Sequence, residues 1–153
     1  MGAPLQSQVA RSTPFDNSTN GFTAINVQDA IEEAKNSAIA NDRFIVSCGF
    51  DGNATDGRYL EFQSNVDSNL VGWIVPVNCY IKELTLGIVS SSTLTVQLLK
   101  KDGTNLTSIT LTSARTGIVT GLNVELLQGL EVMALVTSGT GARPILFVNC
   151  QKG

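Results

Sequence analysis

The loop Asp51-Gly-Asn-Ala-Thr-Asp-Gly57 holds a dense set of oxygen ligands and invites a calcium site. An EF-hand loop needs glycine at its sixth position for the sharp turn and glutamate at its twelfth as a bidentate ligand. Asp56 and Phe62 stand there instead. A hairpin loop with acidic turn residues is the better account, and no metal is expected. The stretch TSGTGARP, Thr137 to Pro144, is rich in glycine. It lacks the lysine and the strand-to-helix setting of a phosphate loop, so it reads as another turn. Glu32 and Glu33 fall on a helix surface, and Glu61, Glu83, Glu125 and Glu131 alternate outward along strands. No pair of acids converges as general acid and base.

The chain contains no histidine. That removes the common zinc sites and every histidine-assisted nucleophile. Cys48, Cys79 and Cys150 are odd in number, spread over strands and without a Cys-x-x-Cys pair. They read as buried, reduced thiols. Three Asn-x-Thr/Ser sequences, at Asn17, Asn53 and Asn105, read as plain polar loops. No enzyme and no cofactor are expected.

A chain of 153 residues makes one domain with a small appendage. Hydrophobic residues are 42%, enough for a core, but charged residues are only 15%, below the roughly 25% of ordinary soluble domains. Ser, Thr and Asn, roughly a quarter of the chain, must supply the polar surface. A surface short of charge favours an oligomer, because subunit faces need few charges. The net charge of −3, with no basic run, argues against nucleic-acid binding and against attraction to an anionic membrane. The opening MGAPLQSQVARSTPF has no apolar signal core, and Gln6 stands where an acylation motif wants Ser or Thr.

Residues 1–20 are polar, carry Pro4 and Pro14, and show no period. They read as an arm, disordered or ordered only against a partner. Residues 21–42 hold one short amphipathic helix. Asn26 is its N-cap, Asp29 follows at capping-box spacing, and Ile25 is placed to staple over the first turn. Val27, Ala30, Ile31, Ala34 and Ala38 form one narrow face, with Glu33 on the solvent side, where Glu33→Gln should be near neutral. A helix of about fifteen residues is marginal alone in water, so that face must be covered. Its own β domain, other copies of the chain, or a neighbouring protein remain open as the cover.

From residue 43 to 153 the period switches to two. RFIVSCGF reads as a buried strand, and DGNATDG as a tight loop. RYLEFQS, NLVGWIVPV and CYIKELTLGIV follow as strands. STLTVQLLKKDGTNLTSITLTS is a hairpin turned at Asp102-Gly103, and GLNVELL, LEVMALVTS and RPILFVNC complete the set. Turn signals every 8 to 12 residues point to a mainly β fold, an antiparallel β-sandwich or jelly roll.

STNGFTAINVQDAIEEAK resembles a segment of many bacteriophage virion proteins, where a similar phrase precedes a fibre, spike or head-decoration domain. The later GWIVPVNCYIKELTLGIVSSSTLTVQLLKKDGTNLTSITL is similar to trimeric, tumour-necrosis-factor-like jelly-roll heads of phage fibres and decoration proteins. A late Gly-Asp step of such domains is matched only in part, at Gln128-Gly129-Leu130-Glu131. The resemblance implies a virion structural protein, a homotrimer attached through residues 1–42 to a major capsid or a tail/connector protein. Val27, Ala30, Ile31, Ala34 and Ala38 would then be the contact residues. A capsid decoration or short head fibre fits the length better than a tail fibre with its long shaft. The alternative is a receptor-binding protein that stacks a host glycan on Tyr59, Trp73 and Tyr80.

Overall fold

A computed structural model describes residues 13–62 and 66–153. The chain divides into two compact units, residues 1–42 and 43–153. The part of the expected arm before residue 13, Gly2 and Gln6 included, lies outside the described residues.

The first unit is built around α1, Val27–Asn41. Asn26 caps it as its spacing requires. Its Oδ1 accepts the Asp29 N–H at 2.9 Å, and its Nδ2 donates to Asp29 Oδ2 at 2.7 Å. One orphan donor of the first turn is thereby satisfied. Residues 13–20 return alongside the helix entry. The Val27 N–H donates to the Thr13 carbonyl and the Phe15 N–H to that of Ile25, both at 3.1 Å. Phe15 and Phe22 close this turn edge to face, their centroids 5.8 Å apart. Ile25 does not staple the helix. It is 75% exposed, too open to pack over the first turn, and its carbonyl accepts the Phe15 N–H.

The second unit is an antiparallel β-sandwich of the jelly-roll class, a long sheet curled over one core. Its strands are β1 Arg43–Gly49, β2 Asn53–Thr55, β3 Glu61–Phe62, β4 Val66–Asp67 and β5 Trp73–Ile74. Then come β6 Cys79–Lys100, β7 Asn105–Val119, β8 Val124–Leu126, β9 Glu131–Ala142 and β10 Ile145–Lys152. CYIKELTLGIV and STLTVQLLK, expected as two strands, are one strand of 22 residues. Its first half pairs with β10, β8 and the end of β7, and its second half with β9 and the start of β7. The β6–β7 hairpin thus runs through both layers, and its ladder is irregular from Gly87 to Leu94 where it turns the corner. Gly139 lets β9 follow: φ is +83°, and a Cβ there would meet the Thr93 carbonyl oxygen at 2.1 Å.

The Asp102-Gly103 turn closes as its chemistry dictates, with Gly103 at φ +87° and the Lys100 N–H donating to the Thr104 carbonyl at 2.8 Å. Two loops of the sequence reading are partly strand. Asn53–Thr55 pairs with Thr140–Ala142, so DGNATDG and most of TSGTGARP form a ladder rather than two turns. Period-two reasoning cannot see a strand of three residues.

The core alternates inward along each strand. Leu84, Leu86, Leu94, Val96 and Leu98 of β6 meet Ile109 and Leu111 of β7, Val136 of β9, and Leu146 and Val148 of β10. Fully burying each such side chain contributes about 1.5–3 kcal/mol. A bulge at Lys82 keeps this in phase. Inward residues step from Ile81, opposite Cys150, to Leu84, opposite Val148.

Candidate functional site

The acidic side chains are tied into ion pairs and hydrogen bonds, and Glu61 and Asp67, opposite each other across β3 and β4, share Arg58. Asp51 of the calcium-like loop accepts Arg143 Nε at 3.0 Å. Arg58 lies over the Phe50 ring and holds Glu61 at 3.4 Å and Asp67 at 3.0 Å. Glu131 accepts the Gly72 N–H and Lys101 Nζ, each at 2.9 Å, and these donors hold its carboxyl below the usual range. Among the described residues no three His, Cys, Asp or Glu side chains gather where a metal ion could sit.

Cys48, Cys79 and Cys150 are free and buried. Burial pushes all three thiols up, Cys150 to about 12, with Cys79 as its hydrogen-bonded neighbour. Thiols held so far above neutrality are poor nucleophiles.

On α1 the expected contact residues divide. Ala30 is buried and Val27 half-buried, while Ala34 and Ala38 are exposed and Ile31 is 57% exposed. The C-terminal part of the stripe is thus bare. Glu33 is not the idle surface residue the helical wheel implies. Its carboxylate accepts the Thr23 N–H at 3.0 Å, the Thr23 hydroxyl at 3.2 Å and the Ala24 N–H at 3.0 Å. It ties the preceding loop to the second turn of the helix.

The three candidate stacking residues are not brought together as one platform. Trp73 is half-buried, 6.4 Å from both Phe44 and Phe62 by ring centroids. Tyr59 bridges to Leu135 of β9. Tyr80 donates to Glu125 Oε1 at 3.4 Å, with Lys82 Nζ 5.1 Å from its ring.

Sequence reasoning missed one surface. Outward residues of β1, β10, β6 and β7 align in rows: Ser47, Phe147, Thr85, Ile118, and beside them Gly49, Ile145, Gly87, Thr116. On the far side of the first row, Ile45 pairs with Asn149 and Asn149 with Glu83. Ile45 is 65% exposed, Ile118 63%, Ile145 46% and Phe147 42%. RFIVSCGF is therefore not a buried strand on both faces. On the other layer the outward positions of β6 and β7 are polar, with Thr95, Gln97, Ser108 and Thr110 in two rows and the Thr95 and Thr110 hydroxyls 3.0 Å apart. Asn149 Oδ1, amid the apolar rows, is shielded from solvent and has no hydrogen-bond partner. Such an acceptor costs about 1–3 kcal/mol while unpaired. The signal was present in the unbroken apolar runs Phe44-Ile-Val46 and Ile145-Leu-Phe-Val148. An antiparallel strand that is apolar on both faces needs cover on both.

Comparison with protein-family models and with curated proteins finds no match to this chain.

Proposed function

We propose that this is a non-enzymatic bacteriophage virion structural protein, a small trimeric capsid decoration or head-fibre protein. It attaches through residues 1–42 to the major capsid protein or to a tail/connector protein, and its jelly-roll domain faces outward. The reading rests on the resemblance of STNGFTAINVQDAIEEAK and of the β segment to phage fibre and decoration proteins. The structural observation that supports it is the bare helical stripe of Ile31, Ala34 and Ala38. Neighbouring chains covering that stripe would stabilise a helix too short to stand alone, small residues letting them come close. Acids neutralised in ion pairs, and thiols that are buried, favour assembly over chemistry. Glycan stacking, the other reading, is weakened by Trp73, whose ring is engaged with Phe44 and Phe62.

Ala34→Glu tests it. A charge placed in a packed alanine face must be desolvated without a partner, at several kcal/mol if fully buried. Retention on the virion should fall while the β-unit melt stays unchanged, and Lys35→Gln, on the exposed side, should behave as wild type. Intact attachment of Ala34→Glu would remove the helix from its coupling role. A lowered β-unit melt would mean that the helix serves its own sheet.

A further inference from the structure

We infer that Asn20 is a site of spontaneous modification, where the side-chain amide cyclises onto the Gly21 nitrogen, loses ammonia and opens to aspartate or isoaspartate. Asn20 is the one asparagine of the chain that precedes a glycine. A side chain on the following residue would crowd the attacking nitrogen, and glycine has none. Both residues are exposed, and a Cβ on Gly21, at φ +75°, would meet nothing within 4 Å. Water and base therefore reach the peptide between them.

The turn also arranges the reacting atoms. Asn20 Oδ1 accepts the Phe22 N–H at 3.0 Å, which folds the carboxamide back across the Asn20–Gly21 peptide. The amide carbon and the Gly21 nitrogen thus belong to one small hydrogen-bonded ring. The same Phe22 N–H stabilises Oδ1 as negative charge develops on it. The Gly21 N–H makes no hydrogen bond among the described residues, so none of these must break before its proton leaves. One bond is given up, from Asn20 Nδ2 to the Asp16 carbonyl at 3.2 Å. Asn17 in the same loop makes the contrast. It is half-buried, precedes Ser18, and its Nδ2 donates to the Ala24 carbonyl at 2.9 Å.

The reaction balances with water alone. A base takes the Gly21 N–H proton, the nitrogen bonds to Asn20 Cγ, and the Cγ–Nδ2 bond breaks as ammonia leaves with a proton from water. Water then adds to either carbonyl of the five-membered imide and displaces the ring nitrogen from it. Opening at Cγ gives aspartate, and opening at the backbone carbonyl gives isoaspartate. Either product lacks the Nδ2 donor and adds a negative charge next to Asp16. Isoaspartate also lengthens the backbone by one methylene, so the Phe22 N–H loses its acceptor ahead of the Glu33 clasp. None of this depends on the virion reading.

The test is incubation of the folded full chain in mildly alkaline buffer, followed by mass spectrometry of the tryptic fragment that spans residues 12–35. The mass difference between an acid and its amide should appear at Asn20, and an isoaspartyl methyltransferase should label part of the product. Asn17 and Asn26, in the same fragment, should stay intact over that time. Gly21→Ala should slow the conversion roughly tenfold or more. Asn20→Gln, which can close only a six-membered ring, should stop it and carries the test where Gly21→Ala disturbs the turn. The chain unfolded in guanidinium chloride gives the rate of the sequence alone, and the folded chain should convert at least as fast. Amide exchange at Phe22 should be roughly tenfold faster in the isolated isoaspartate form. An Asn20 that survives in the folded chain while the unfolded chain converts would overturn the inference, because the turn would then protect it. Conversion of Asn17 or Asn26 at the same rate would overturn it too, as would Asn20→Gln being labelled like the wild type. Unchanged exchange at Phe22 would overturn the loosening of the turn.

Discussion

Glu33 holds Thr23 by three hydrogen bonds: both carboxylate oxygens accept the Thr23 N–H at 3.0 Å, and Oε2 also accepts its hydroxyl at 3.2 Å. A carboxylate accepts at both oxygens, whereas a glutamine amide accepts at one. Glu33→Gln should therefore weaken the clasp by about 1–2 kcal/mol, since bonds to charged groups exceed neutral ones. Amide exchange at Thr23 and Ala24 should accelerate roughly tenfold in the variant. Unchanged exchange would show that the helix holds the loop without Glu33.

Ser68 is fully buried and completes a ladder its own segment lacks. Its hydroxyl donates to the Ala134 carbonyl at 3.2 Å and accepts the Ala134 N–H at 3.0 Å. Ser68→Ala leaves the Ala134 donor unpaired in the interior and should cost about 1–3 kcal/mol. Urea denaturation should show a lower midpoint with an unchanged slope. A midpoint within error of wild type would contradict this assignment.

Glu131 makes stability depend on pH. Its carboxyl lies below the ordinary value of 4.5 in the folded chain, first through the Gly72 N–H and then through Lys101. The group's contribution is complete above that ordinary value and is lost as pH falls through the lowered folded value. Between about pH 6 and about pH 2 the wild type should therefore lose more thermal stability than Glu131→Gln. Parallel pH profiles would exclude this carboxylate as a source of acid sensitivity.

A chain beginning at Arg43 should melt cooperatively. The second unit is compact in itself, and a single core joins its strands from β1 to β10. A broad, non-cooperative transition would mean that residues 1–42 are needed for that fold.

The sandwich was legible because β6, β7, β9 and β10 alternate over long runs and Gly103 marks its turn without ambiguity. The N-cap at Asn26 was legible for the same reason, a local rule with a fixed spacing. What escaped reading depends on distant partners. The ladder between Asn53–Thr55 and Thr140–Ala142 exists only because β9 passes beside it. Glu33 looked idle on a helical wheel, since its partners, Thr23 and Ala24, belong to the loop before the helix. The exposed outer face lay hidden in strands that alternate imperfectly, where Ile45 and Phe147 read as core until the register turned them outward.

The proposed virion role is tested most directly by cosedimentation of purified protein with phage virions, for the full chain and for a chain beginning at Arg43. The full chain should pellet with the virions, while the shorter chain should stay in the supernatant as an intact trimer. Attachment through residues 1–42 would be contradicted if the shorter chain pelleted as well as the full one. A full chain left in the supernatant would contradict the virion role itself.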